Sequence, residues 1–286
     1  MSASVATGRQ TAQRRAPIRR RRRSPWAFVR DNIVWVAATL ALIYLLLPNV
    51  IVVLFSFNKP NGRFNYTWQR FSLDAWKNPC GAPGMCKALG LSLKIGISAT
   101  IVATILGTLL AFALGRYRFR GRSAVNLLIF LPMATPEVVM GSSLLTLFAS
   151  RHVGLGFKTI LVAHILFCLS YVVVTVKARI AGLDPRLEQA ASDLYANEFQ
   201  TFTRITLPLV APGIAAGALL AFSLSFDDYI VTNFNASPSS TTFPMFVWGS
   251  AQRGTPVQIN VIGTAMFVLA VTAVAIGQFV GRRRTR

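Results

Sequence analysis

Acidic residues are scarce in this chain: nine Asp and Glu stand against thirty Lys and Arg in 286 residues, for a net charge of +21. Charge of either sign is itself sparse, at 14% against 53% hydrophobic, which leaves too little polar surface to cover a soluble domain of this length. With only His152 and His164 present, a His-rich metal site is excluded, and no set of metal ligands stands out. No Gly-x-x-x-x-Gly-Lys-Ser/Thr stretch occurs; Gly154-Leu-Gly-Phe-Lys-Thr159 comes nearest and lacks the spacing, so the chain has no phosphate cradle for ATP and no cofactor of its own. Residues 1–18 lack the apolar core of a cleavable signal, so the N-terminus reads as a basic tail. The excess of basic residues would suit a nucleic-acid binder, but a mean hydropathy of +0.51 makes lipid the solvent, and no nucleic-acid partner is expected.

What the chain has instead is long apolar runs. Ile33 to Phe57 carries no charged residue, enough to cross roughly 30 Å of hydrocarbon at about 1.5 Å per residue. Ala88–Gly115 is broken only by Lys94, which is placed to snorkel outward, and Ser123–Phe148 only by Glu137. Thr159–Val176, Leu209 to about Phe234, and Ile259–Val280 complete six expected spans. The expected fold is all-α and polytopic, with a basic tail at 1–32, a six-span membrane domain at 33–280 and a basic C-terminus at 281–286. Placing both termini inside puts 21 of the 30 basic residues in inner segments, so the termini are expected to be cytoplasmic. The Arg19–Arg23 run precedes span one, where anionic lipid is the usual partner, and Trp26 and Phe28 would suit a short interfacial helix.

Cys80 and Cys86 share the loop after span one, in Cys-Gly-Ala-Pro-Gly-Met-Cys, with no His nearby for zinc; they are either a disulfide on an oxidising side or two free thiols. Cys168 reads as a small packing residue.

The inner segment 177–208 is long enough for two helices. Asp184-Pro185 reads as a helix start, with Glu188 in the first turn and Leu187, Ala190, Ala191 and Leu194 at helical spacing, which gives a helix over 185–195 with a small-residue face for docking. Leu187-Glu188-Gln189-Ala190-Ala191-Ser192-Asp193-Leu194-Tyr195-Ala196, followed after nine residues by Ile205-Thr206-Leu207-Pro208, resembles the cytoplasmic EAA loop of ABC importer permeases. Two positions depart from that pattern: Gln189 replaces the Glu, and Tyr195 replaces the Gly that ends the helix, which predicts a differently shaped turn after Leu194.

The resemblance extends from span one to span six. Pro136-Glu137-Val138-Val139 and Ser225-Phe226-Asp227-Asp228-Tyr229 are similar to the spermidine/putrescine branch of these permeases, and Ser92-Leu93 resembles the Asn-Ser-Leu that opens span two, with Leu91 in the Asn's place. It implies a type I importer permease of a bacterial inner membrane. Its implied partners are a second, homologous permease, two ATPase subunits carrying ATP and Mg, and an extracytoplasmic substrate-binding protein. Glu188 to Tyr195 with Ile205, Leu207 and Pro208 would couple to the ATPase.

Three acids lie within the runs: Glu137, near the midpoint of span three, and the adjacent Asp227 and Asp228. A carboxylate in hydrocarbon costs at least about 2.5 kcal/mol, so these should face protein or water. Adjacent residues on one helix point about 100° apart, so only one Asp can face a central path, and Asp228 is the choice. The other readings are an intersubunit ion pair for the Asp pair, and pairing with Lys94 or His164 for Glu137. His164 itself reads as a packing or hydrogen-bonding residue. Polyamines carry several ammonium groups on methylene stems, and Phe226, Tyr229 and Phe234 would suit them. An ion-coupled secondary transporter could use the same acids without needing the 185–208 loop. An intramembrane aspartyl enzyme needs two facing acids, which neighbours on one helix cannot supply.

Overall fold

The structure, a computed structural model, describes the backbone of residues 25–284 and the side chains of residues 32–272, 275 and 277. The remainder of the tail and the final two residues, and with them the Arg19–Arg23 run, lie outside the described residues. Among the described residues the chain is helical, its one β-type pairing being an isolated bridge between Asn58 and Phe71.

Helix α1 runs unbroken over Pro25–Phe55. The backbone at Trp26 and Phe28 is helical and continuous with the apolar stretch Asn32–Phe55. The described residues fall into two units, divided between Ile51 and Val52. In the first, α1 carries exposed apolar side chains, Trp35 and Tyr44 among them.

The second unit opens with a loop held by side-chain amides: Asn58 Nδ2 donates to Asn65 Oδ1 at 2.6 Å, and Asn65 Nδ2 to the Phe55 carbonyl at 2.9 Å. Lys59 Nζ sits 2.5 Å from Asp74 Oδ2, at the start of the short α2 (Asp74–Lys77). That hydrogen bond, with a second from Ser72, holds the Asp74 carboxyl below the usual carboxylate range. Cys80 and Cys86 are disulfide-bonded with their Cα atoms 5.4 Å apart, which decides between the two readings of that pair.

The core is a three-helix packing of α3 (Met85–Arg116), α6 (Phe157–Ala181) and α9 (Leu207–Asp227). Lipid chains are as apolar as Leu, so helices in a membrane associate through close backbone approach and small residues rather than hydrophobic exclusion. Ala99, Ala103, Gly107 and Ala111 recur every four residues along the buried face of α3. At Gly107 a Cβ would lie 2.7 Å from Val172 Cγ1, and at Gly213 of α9 a Cβ would meet Arg179 at 2.6 Å. Cys168 is buried in this packing, its thiol directed at the Ala221 carbonyl 3.4 Å away.

Two of the expected continuous spans are broken. The run from Ser123 folds as α4 (Arg122–Ala134) and α5 (Glu137–Ser150), bent by 107°. Pro136 has no amide hydrogen and disfavours helical geometry in the residue before it, and Thr135 is extended at φ −82°, ψ 131°. The run from Leu209 ends at Asp227 and resumes as α10 (Ile230–Asn235). Helices α7 (Arg186–Asp193) and α8 (Glu198–Thr201) lie between α6 and α9, and α11 (Phe243–Arg253) and α12 (Val257–Arg284) follow α10. Four helical stretches are long and apolar enough to cross a membrane, Asn32–Phe55, Met85–Arg116, Phe157–Ala181 and Glu198–Asp227, with the bent α4/α5 pair as a fifth.

Candidate functional site

The two helix breaks are neighbours because α10 packs on α5. Gly141 makes room for it: a Cβ there would lie 2.8 Å from Phe234 Cδ2, and Asn235 Nδ2 reaches the Gly141 carbonyl at 3.4 Å. Glu137 is the first residue of α5 and is exposed. It is not mid-helix as expected, because Pro136 starts a new helix there, whose N-terminal amides favour a carboxylate in the first turn. It pairs with neither Lys94 nor His164 among the described residues: Lys94 is exposed, and both ring nitrogens of His164 are engaged elsewhere.

Asp227 closes α9, while Asp228 is extended at φ −63°, ψ 126°. The 100° separation expected of neighbours on one helix is therefore lost. Asp228, chosen from sequence to face the central path, is instead turned into the protein interior. It is buried, and its carboxylate accepts from the Val231 amide at 3.2 Å, the Thr232 amide at 2.7 Å and the Thr232 hydroxyl at 2.6 Å. His164 Nε2 lies 3.3 Å from the same carboxylate and 2.9 Å from the Thr232 hydroxyl, with Nδ1 2.7 Å from the Ser225 hydroxyl. The imidazole of α6 thus bridges the last turn of α9 and the first of α10, so the break has a fixed shape. Asp227 is left exposed. Beside it Phe226 lies between Phe222 and Phe243, ring centroids 5.8 and 6.3 Å away, and Tyr229 lies 5.2 Å from Trp248 of α11. Sequence reasoning missed Trp248, which is nineteen residues beyond Tyr229 and in no motif with it.

The 182–206 segment forms the second cluster. Asp184 Oδ1 accepts the Arg186 amide at 2.9 Å, the expected capping contact for α7. The helix ends in a Schellman pattern, with the Ala196 amide on the Ala191 carbonyl and the Tyr195 amide on the Ser192 carbonyl, both at 3.0 Å. Tyr195 takes φ +61°, so the turn has the left-handed form that Gly would have given and the different shape expected is not seen. The paired carbonyls offset a cost of about 1–2 kcal/mol for a side chain in that region.

Ala191 is buried and is not part of an open docking face, which corrects the small-face reading. Ala190, Gln189 and Asp193 are exposed, as are Leu187, Leu194, Tyr195 and Phe199, with Leu194 at 81% and Tyr195 at 98%. Glu188 points back into the bundle. Its Oε1 accepts from the Arg116 guanidinium at the end of α3 and from the Thr206 hydroxyl at 2.7 Å, and Arg116 also reaches Thr206 at 3.2 Å. A groove of about 860 Å³ opens beside this clamp, lined by Arg116, Tyr117, Glu188, Ser192, Glu198 and Phe202 among others.

Between α8 and α9 the chain makes one π turn over Phe202–Thr206, the Leu207 amide bonding the Phe202 carbonyl. Pro208 would crowd the carbonyl four residues earlier in a regular helix, and the widened turn lets Glu198–Asp227 continue as one rod. Ile205 and Leu207 are half-buried and Pro208 exposed on that rod. Arg116 and Thr206 were not identified from sequence. Thr206 sat unremarked inside the Ile-x-Leu-Pro match, and Arg116 is seventy-two residues from its partner.

A family described as binding-protein-dependent transport system inner membrane component matches residues 103–286. The spermidine/putrescine transport system permease protein PotC of Escherichia coli K12 is 38% identical over 243 residues, 85% of this chain and 91% of that protein. The putrescine transport system permease protein PotI of the same organism is 36% identical, over 85% of each chain. Among solved structures, a bacterial ABC transporter that imports the acidic polysaccharide alginate aligns with a TM-score of 0.64 at 14% identity, covering 91% of this chain and 98% of that one. That likeness carries the fold alone. The membrane-spanning helices, the loop between α6 and α9 and the match over 103–286 make this chain a member of the binding-protein-dependent transport system inner membrane component family, the permease subunits of ABC importers.

Proposed function

We propose that this chain lines the translocation path of an ATP-driven importer of polyamines such as spermidine and putrescine. The names of its relatives motivate the cargo, and the observation that carries the path is the pairing of two broken helices that leaves Glu137 and Asp227 exposed, Asp227 two residues from Tyr229 and its Trp248 neighbour. Broken helices in transporters place half-helix ends and polar groups where an ion must pass. An ammonium group would meet Asp227 and the Tyr229 and Trp248 rings, each able to hold a cation. Asp228 serves differently, fixing the break.

In this reading the bent α4/α5 pair is span three and α12 span six, with 33–280 as the permease domain and both termini in the cytoplasm of a bacterial cell. The loop 177–208 then faces the cytoplasm. A second homologous permease completes the path, two ATPases carrying ATP and Mg dock on the loop, and an extracytoplasmic binding protein delivers cargo. The exposed Leu194, Tyr195 and Phe199 are the contact points for the ATPase. The Glu188 clamp transmits its motion to α3 and α9.

Uptake of labelled spermidine and yield of the assembled complex, measured together, test the assignment. Asp227→Asn keeps size and lowers desolvation cost, so yield should hold while uptake falls about tenfold or more, the worth of one charge-assisted contact of about 1.5–3 kcal/mol. Normal uptake in the Glu137→Gln, Asp227→Asn double variant at normal yield would remove both acids from the path.

A further inference from the structure

Between α4 and α6 lies a groove of about 280 Å³ that the transport reading does not use. Its walls are apolar, with Ile129 and Phe130 from α4 and Val173 and Val174 from α6, and its polar residues are Asn126 and Lys177. Lys177 is four residues from the end of α6 and Asn126 four residues from the start of α4, so both sit near the ends of these helices. These two are linked to each other and to the first turn of α4. Lys177 Nζ donates to Asn126 Oδ1 at 2.7 Å, Asn126 Nδ2 to the Arg122 carbonyl at 2.9 Å, and the Arg122 guanidinium to the Leu114 carbonyl at 2.7 Å. Lys177 thus stands at one end of the apolar groove, with Arg122 one helical turn from Asn126, and every hydrogen-bond partner the two cations have among the described residues is neutral. The adjoining turn adds Arg118 and Arg120, both exposed and with no acid on them among the described residues.

We propose that this groove is a binding site for an anionic phospholipid, one acyl chain lying against Phe130 and Val174 and the phosphate against Lys177 and Arg122. Charge complementarity selects that occupant. A zwitterionic lipid would bring a quaternary ammonium to the same four cations, and a purely apolar helix would leave them uncompensated. The lipid holds α4 to α6, and α4 leads directly into the break at Thr135-Pro136, so occupancy would bear on the stability of the bent pair.

The test uses the assembled importer reconstituted into vesicles of phosphatidylglycerol and phosphatidylcholine, with a trace of either lipid bearing a photoactivatable acyl chain. The expected result is phosphatidylglycerol cross-links on peptides holding Phe130 and Val174, at several-fold the yield of the phosphatidylcholine probe. Lys177→Gln should abolish that preference while complex yield is unchanged. Val174→Trp, which fills the groove and leaves the charges in place, should reduce labelling by both probes. Equal labelling by the two lipids, a preference that survives Lys177→Gln at normal yield, or cross-links from these peptides to the second permease instead of to lipid would each overturn the proposal. If Lys177→Gln lowers yield, free phosphatidylglycerol competing against the probe in the unmodified complex gives the answer: no competition, or competition equal to that by phosphatidylcholine, refutes the site.

Discussion

Removing the Glu188 carboxylate should loosen the loop helix from the bundle without unfolding either. In Glu188→Ala the Arg116 guanidinium and the Thr206 hydroxyl both lose an acceptor. Each charge-assisted hydrogen bond has a net worth of about 1.5–3 kcal/mol in favourable settings. The two side chains of the ion pair are 32% and 34% exposed, and solvent screening lowers that figure toward the 0.2–1 kcal/mol of surface pairs. A loss of about 1–2 kcal/mol is the reasonable middle, a factor of about 5–30 in the equilibrium between docked and undocked α7. Amide exchange in the assembled importer reads this directly. Protection of the Leu187–Leu194 amides should fall by that factor while protection along the buried turns of α3 and in α6 stays constant, because Glu188 reaches only Arg116 at the last residue of α3. ATP hydrolysis should continue, with fewer polyamine molecules imported per ATP. Arg116→Gln should give a similar loss, and the double variant should lose less than the two single losses combined, since both act on one clamp. Unchanged protection in Glu188→Ala, or strict additivity of the two variants, would refute the clamp.

Tyr195→Gly should relieve the left-handed strain and raise α7 protection by a factor equivalent to about 1 kcal/mol, while uptake falls with the loss of one ATPase contact; lower protection would mean that the Tyr side chain contributes contacts outweighing its strain. Gly107→Ala should lower the thermal midpoint of the complex, at about 1–3 kcal/mol, because the added methyl meets Val172 at 2.7 Å; pairing it with Val172→Ala should restore much of the loss. Asp228→Ala should reduce complex yield as well as uptake, since it strands His164 and two α10 amides, whereas Asp227→Ala should reduce uptake alone; equal yields for the two would contradict the assigned division of roles. A thiol-reactive probe should leave Cys80 and Cys86 unlabelled in untreated membranes and label both after reduction, and labelling without reductant would argue against the bridge.

Hydropathy and a short motif were enough to identify an all-α membrane permease from the sequence. Both depend on local composition: twenty apolar residues specify a membrane helix whatever surrounds them, and the Ala190-Ala191 to Pro208 spacing lies in one loop. The cap at Asp184 was legible for the same reason, being a contact between residues two apart. Where sequence reasoning extended regularity it failed. It ran helices through Pro136 and through Asp227-Asp228, because an apolar run records burial in lipid and says nothing of direction within it. Only packing decided that Asp228 turns inward, since its fate depends on His164, more than sixty residues earlier, reaching both sides of the break. Ala191 likewise looked like an open face on a helical wheel, yet it is covered by its own chain. Glu188 needed Arg116, and Tyr229 needed Trp248, partners that no spacing along the chain could select. The sequence determined which segments enter the membrane, because transfer from water depends on each segment's own side chains. The tertiary structure decided which polar groups are engaged and which are free, because a carboxylate's partner is whichever helix lies against it.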